Sequence, residues 1–427
     1  MFFPGLKPLA DIPIERSYSL QNAEEALTKE LDSLGLSYEI EIAGEFIQAA
    51  RCTIRDKGSG RFLASGNGKG EIAACRIGSL FEATEHLLSK YHHIDPAKLF
   101  YMNNMDYCQD NPLCDQLPLV LLAGPDSAEI PFIKHHAVSG SQSCLYPLAL
   151  LCPEYIDIQL GNQGLRRNDP FNYRRIEQYS TNSGTAIGMS AEEAIIHGLL
   201  EGIERTSLST FLCDTFIKNK KNFLRTIDPA TFPPHIGDVA NRLEREIASR
   251  VFIFEMPNKF GIPAYVSWME QYEFRIGIAG YGCSLSVEHA ILRCLYELAQ
   301  YYILSKHIFG FDWLRSKAEA IRTELNGLPL HQDCAVFDMG WKRSMLGCES
   351  VAFERLPAVS FTKDPGEYLA QLTALIYKAG EVPYASEIAS LKSGVNVTHT
   401  FITGEDRFFN VTNCKSTFPA SLKDFAS

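Results

Sequence analysis

The sequence predicts an α/β protein. Two patterns carry that reading: short stretches that alternate apolar and polar residues, and long stretches with an apolar stripe at helical spacing. In addition, a glycine-containing turn precedes a long acidic helix three times along the chain. The 427 residues are 46% hydrophobic and 21% charged, an ordinary globular balance that can bury a sizeable core. That length exceeds the usual single domain, but no low-complexity linker divides it, so residues 1–427 are expected to form one large unit.

The elements follow in order. Residues 20–35 have helical spacing, with Ala23, Ala26, Leu27, Leu31 and Leu34 on one side, and 37–42 and 49–54 alternate as strands. Ser65-Gly66-Asn67-Gly68-Lys69-Gly70 reads as a glycine-rich turn before a helix reaching about Tyr91. Between 100 and 180, short apolar runs broken by Pro, Asn, Asp and Gly predict strands joined by long loops. Helices are expected over 191–212 and near 238–249, and strands over 251–255 and 264–268. A second glycine-rich turn, Gly280-Tyr281-Gly282, leads into a helix over 287–306. The last hundred residues show no clear period. The three turn-helix segments carry Glu82 and Glu85; Glu193, Glu201 and Glu204; and Glu297. They read equally as a degenerate internal repeat or as three ordinary β-turn-α units.

Charge and cysteine usage narrow the function. A net charge of −11, from 51 acidic and 40 basic residues, offers no concentration of Lys and Arg for a nucleic-acid surface. The twelve cysteines are scattered without a Cys-x-x-Cys pair, which argues against a structural zinc or thioredoxin-like site. The start, Met1-Phe2-Phe3-Pro4-Gly5, lacks the basic residues and apolar run of a signal peptide. The apolar stretches 117–123 and 145–152 are broken by Pro118 and Pro147 and are too short to span a bilayer. A soluble, cytoplasmic protein with reduced cysteines is expected, with no membrane partner. His92-His93 and His135-His136 are adjacent pairs whose side chains diverge, so they do not supply a metal ligand set.

The carboxylates are more informative. With Glu193 at the origin of a helical wheel, Glu204 falls at about 20° and Glu201 at about 80°, while Ile195, Ile196, Leu199, Leu200 and Ile203 occupy the arc from about 200° to 340°. Solvated glutamates on an amphipathic helix are the default, and Arg293 with Glu297 four residues on has the spacing of a surface pair. The run Ala194-Ile195-Ile196-His197-Gly198-Leu199-Leu200 reads as largely enclosed, however, and enclosed like charges need a cation or a proton. Magnesium suits one or two carboxylates together with water and substrate phosphates. Lys69, Arg205 and Arg293 would then meet the phosphates. Gly68-Lys69-Gly70 lacks the spacing of a P-loop.

At this point the chain resembles the YcaO family. The resemblance is carried by Thr181-Asn182-Ser183-Gly184-Thr185-Ala186-Ile187-Gly188-Met189-Ser190-Ala191-Glu192-Glu193, continuing to Glu201-Gly202-Ile203-Glu204-Arg205. Asn67-Gly68-Lys69-Gly70 with Glu82-x-x-Glu85 lies upstream, and Gly280-Tyr281-Gly282 with Arg293 and Glu297 lies downstream, so the match spans about 45–305. It implies a YcaO-type α/β (α+β) fold with mixed sheets flanked by helices, distinct from P-loop and ATP-grasp enzymes, that binds ATP and Mg2+. Carried over residue by residue, Lys7, Lys69, Glu82, Glu193, Arg205 and Arg293 would serve the nucleotide, and Glu85, Glu201, Glu204 and Glu297 the metal. His86, Gly78 and Met189 depart from residues common at those positions, and the chain lacks the proline-rich tail of many azoline-forming members.

The resemblance further implies that a nucleophile adds to a backbone carbonyl of a peptide or protein substrate and that the resulting oxyanion takes the γ-phosphoryl group of ATP. A Cys, Ser or Thr side chain as nucleophile gives an azoline; sulfide gives a thioamide. With no fused leader-binding domain apparent in the sequence, a separate leader-binding or sulfur-donating partner protein is expected, and a homodimer is compatible with the family. The competing reading is a non-catalytic ATP-binding accessory to another enzyme, such as a ribosomal-protein methylthiotransferase.

Overall fold

Among the described residues, strand pairing gives three sheets, each covered by one long helix. The computed structural model describes residues 12–109, 111–124, 127–160, 169–269 and 276–421. After α1 (Leu20–Ser33), strands β1 (Leu36–Ala43), β2 (Ala49–Asp56) and β3 (Phe62–Gly68) form an antiparallel meander, and α2 (Ile72–Leu88) packs on β2 and β3. Strands β4 (Leu99–Asn103), β5 (Glu129–Ala137), β6 (Ser143–Pro147) and β7 (Thr185–Gly188) begin a second sheet, followed by α3 (Ala191–Leu212).

The third sheet comprises β8 (Leu224–Ile227), β9 (Val251–Glu255), β10 (Ala264–Met269), β11 (Ala279–Cys283) and β12 (Cys348–Val351), in the order β11-β10-β9-β8-β12. Its pairs are antiparallel except β8 with β12. α4 (Pro234–Ile247) lies between β8 and β9 in sequence, and α5 (Val287–His307) packs on β10 and β11. After α6 (Pro365–Lys378), the chain returns to the second sheet. There β13 (Pro383–Ser390) and β14 (Asn396–Ile402) complete the order β4-β5-β13-β14-β7, with β6 paired to β5, and α3 packs against β14 and β7. This confirms the mixed α/β class and the positions of the principal helices. The illegible last hundred residues supply two inner strands. β14 hides its period because Thr398, His399 and Thr400 are buried beside Val397 and Phe401.

Local chemistry sets the helix starts. Ser190 Oγ accepts the Glu193 N–H at 3.3 Å at the head of α3, and Ser286 Oγ accepts the His289 N–H at 3.3 Å at the head of α5. Ile196, Leu199, Leu200 and Ile203 are fully buried, each worth about 1.5–3 kcal/mol of transfer free energy. The twelve cysteines are all free. Among the described residues no helix is long and apolar enough to cross a membrane.

The two expected glycine-rich turns are corrected. Gly66 and Gly68 lie within β3, and Gly280 and Gly282 within β11. They are small because a helix backbone presses on each strand. A Cβ on Gly66 would sit 2.1 Å from Ala83 N, and one on Gly280 would sit 2.2 Å from Leu298 N. Gly280→Ala is therefore expected to lower stability by about 1–3 kcal/mol through overpacking, read as an earlier urea midpoint; an unshifted midpoint would refute the close approach.

Candidate active site

The three sheet-covering helices turn a common stripe toward one cavity of about 540 Å3. From α3 come Glu193, His197, Glu201 and Glu204. α5 supplies His289, Arg293, Glu297 and Gln300 at the same spacing, and α2 supplies Ala74, Gly78, Glu82 and Glu85. Positions i, i+4, i+8 and i+11 share an arc roughly 80° wide, so each helix faces the cavity with one side and its sheet with another. The strand contacts of α2 and α5 correspond too: Gly68 faces Cys75 and Ser79 as Gly282 faces Ala290 and Cys294. The cavity-facing spacing recurs in all three helices, and the strand contact in two of them.

All the expected site residues within the described region line this cavity: Lys69, Glu82, Glu85, Glu193, Glu201, Glu204, Arg205, Arg293 and Glu297. Lys7 lies outside the described residues. Gly78, His86 and Met189, the departures from family-typical residues, also face the cavity. Among the described residues, however, no three acidic, imidazole or thiol groups converge as a ready-made metal cage. The carboxylates are instead held by cations and backbone donors. Glu297 pairs with Lys69, and Arg205 lies 3.5 Å from Glu201 and 4.0 Å from Glu204. Glu193 is 2% exposed; its two oxygens accept the N–H groups of Ser17 and Met189, with Arg16 at 3.8 Å.

The surface pair Arg293–Glu297 does not form: Arg293 turns to Glu15 at 3.5 Å, and Glu297 to Lys69. Crowding of like charge divides the acids. Burial, followed by the charges of Glu201 and Glu82, pushes the Glu85 carboxyl well above its ordinary range. Burial also raises Glu82 despite His86 and Lys69, and raises Glu204 with help from Glu297. For Glu297 burial is outweighed by Lys69, Arg205 and Arg293, which hold it below the usual carboxylate range. The site therefore sets carboxyls held above their ordinary range beside one held below it.

Sequence reasoning missed Glu15, Arg16, His197, His289 and Gln300, all of which face the cavity. Filling in the turn between Glu193 and Glu201 would have found His197, and transferring that stripe to α5 would have found His289 and Gln300. Nothing local marks Glu15 or Arg16, whose placement depends on contacts far along the chain. His197 Nδ1 is buried without a partner; burial, then Arg293, Arg16 and Lys69, hold the imidazole well below its usual pKa.

The raised Glu85 carboxyl has a consequence for stability. A folded-state pKa above the unfolded value contributes stability that is complete below the unfolded pKa and is lost as pH rises through the folded one. Glu85→Gln cannot ionise, so in the ligand-free protein its melting temperature should gain on the wild type at pH 8 relative to pH 5. An equal difference at both pH values would contradict the crowding of charge around Glu85.

Comparison with known proteins follows the same lines. The family described as YcaO cyclodehydratase, ATP- and Mg2+-binding, matches residues 66–404. No curated protein matches the chain by sequence. Among solved structures, YcaO from Methanopyrus kandleri bound with AMPPCP and Mg2+ is similar at 16% identity and a TM-score of 0.65, covering 96% of this chain and 98% of that one. A heterocyclase in complex with substrate and cofactor gives 15% identity and a TM-score of 0.66 over 92% of this chain; the chain spans only 53% of that protein. The E. coli microcin synthetase McbBCD complex gives 15% identity and a TM-score of 0.51, over 86% of this chain and 87% of the matched one. These likenesses show the fold, and the family match, which continues past residue 305, where the legible motifs end, to residue 404, shows that this chain belongs to the YcaO cyclodehydratase family, whose ligands are ATP and Mg2+.

Proposed function

We propose that the chain activates a backbone amide of a peptide or protein substrate by ATP- and Mg2+-dependent O-phosphorylation, closing an azoline by cyclodehydration or, where sulfide is the nucleophile, forming a thioamide. The observation that carries this reading is the convergence of Glu82, Glu85, Glu201, Glu204, Glu297, Lys69, Arg205 and Arg293 on one cavity from three helices. The residues fit a nucleotide with its metal. Glu204 Oε2 and Arg293 Nε are buried without hydrogen-bond partners, one an acceptor that a cation would satisfy and the other a donor suited to an anion. Magnesium needs only one or two protein carboxylates beside water and phosphate oxygens, so the lack of a compact cage is compatible with it.

In this reading Glu85, Glu201, Glu204 and Glu297 hold the metal, and Lys69, Arg205 and Arg293 hold the phosphates, with Glu82 beside them. Lys69 and Arg205 exchange carboxylate partners for phosphate, keeping charge compensated as the site fills. Glu193 shapes the nucleotide site through its hold on Ser17 and the start of α3. The bound nucleotide supplies the phosphoryl group that makes the amide oxygen a competent leaving group. The McbBCD assembly, also solved with pro-MccB17 bound, supports a separate partner that delivers the peptide.

Glu201→Gln and Glu204→Gln are expected to weaken Mg2+-dependent AMPPCP binding, measured by calorimetry; unchanged affinity in both would remove the metal site. Arg293→Ala should cut peptide-dependent ATP turnover by about 10²–10³, because charge on the transferring group loses its cation. Near-normal turnover would detach α5 from the chemistry. Intact-mass analysis of peptides incubated with the chain, ATP and Mg2+ decides the product: water loss marks an azoline and oxygen-to-sulfur exchange a thioamide. ATP binding without either change, in the presence of partner and peptide, would favour the accessory role.

A further inference from the structure

Residues 13–18, just before α1, run along the cavity, and the backbone there is constrained at one residue. Glu15 adopts φ +68°, in the left-handed region that residues other than glycine rarely occupy. Such a conformation persists where its surroundings over-determine it, and it clusters at functional sites. The surroundings here are specific. The Glu15 carboxylate, 5% exposed, accepts the hydroxyls of Ser284 at 2.6 Å and Tyr368 on α6 at 2.8 Å. Arg293 Nη1 lies 3.5 Å away and His289 Nε2 3.8 Å away, both on α5. Tyr368 OH in turn accepts the Leu285 N–H at 2.8 Å, which fixes the phenol. Burial pushes the carboxyl up, but His289, Arg293 and the two hydroxyls outweigh it and hold Glu15 below its ordinary pKa.

We propose that Glu15 is a positioning residue for the phosphate-facing side of the cavity: it orients Arg293 and pins the segment that carries Arg16 along the site. The inference rests on the reading above in which Arg293 serves phosphate. Glu15 engages one end of the guanidinium, leaving the buried Nε of Arg293 without a protein partner and available to an anion. A planar guanidinium presents its donors in a fixed fork, so fixing one edge fixes the direction of the others. Beyond Glu15, Glu193 takes the Ser17 N–H and lies 3.8 Å from Arg16. The segment is thus held on both sides of Arg16, by carboxylates bound to or belonging to two of the three cavity helices. A side chain serving only as a structural anchor would need the hydroxyl contacts but not the arginine.

Glu15→Gln separates the two roles, because the amide oxygen can still accept from Ser284 and Tyr368 while the charge facing Arg293 is gone. In the full-length chain, calorimetry with AMPPCP and Mg2+ on the wild type, Glu15→Gln, Arg293→Ala and the double variant forms a mutant cycle. The expected result is a Glu15→Gln protein that melts close to wild type and binds about tenfold more weakly, consistent with coupling through one contact. The double variant should bind no more weakly than Arg293→Ala alone. Glu15→Gln binding as tightly as wild type, while Arg293→Ala binds weakly, would overturn the positioning role and leave the reading of Arg293 intact. Fully additive losses would also overturn it, since Glu15 would then act independently of Arg293. Wild-type binding by Arg293→Ala would refute both readings together.

Discussion

Enclosed carboxylates repel one another, and the architecture around this cavity depends on how that repulsion is met. Three helices bring Glu82, Glu85, Glu193, Glu201, Glu204 and Glu297 to one space, a concentration of charge that is unfavourable unless it is compensated. The free protein meets it in three ways. Lys69 and Arg205 neutralise Glu297 and Glu201, backbone N–H groups absorb Glu193, and Glu82, Glu85 and Glu204 are driven toward their protonated forms. In the proposed function, the ion pairs of Lys69 and Arg205 are the ones that a divalent cation and phosphates would replace.

Bringing the helices this close imposes its own demand on the sheets. Gly66 and Gly68 in β3, and Gly280 and Gly282 in β11, stand where helix backbone atoms leave no room for a side chain. In the second sheet the same closeness appears from the helix side: a Cβ on Gly198 would meet Thr400 Oγ1 at 2.5 Å and Gly184 O at 2.6 Å. These contacts set the depth at which each helix lies on its sheet. That depth determines whether the stripe of acids and cations reaches the common cavity.

The apolar core on the second sheet, which includes Phe132, Val397 and Phe401, also encloses a polar network. His135 and His399 share a hydrogen bond of 2.9 Å in full burial, and Arg407 donates to the carbonyls of Leu150 at 2.7 Å and Tyr179 at 2.9 Å. A buried charge with satisfied donors specifies one arrangement of the loops it joins, since any other would leave it unpaired. His135 and His399 thus belong to the sheet core, consistent with the divergence expected for His135 and His136.

Much of the fold class and most of the site were legible in the sequence, because helical periodicity and local spacing are properties of consecutive residues. The limits of α3, the strand β9 and the near limits of α1, α2 and α5 follow from apolar spacing and from serines at helix starts. The acids of α3 share a face by geometry alone. What the chain did not reveal is non-local. The glycines read as turns because a glycine's sequence neighbours do not show that a helix will press on its strand. β13 and β14 lacked a visible period because a register shift and buried polar residues break the alternation. Glu15 and Arg16 have no signature because Ser284, Arg293 and Glu193, the groups that hold them, lie more than 170 residues away. Spacing along one helix determined which side chains point together; only the packing of three sheets determined that three such faces meet, because that depends on contacts between distant segments and on the room left by a missing side chain.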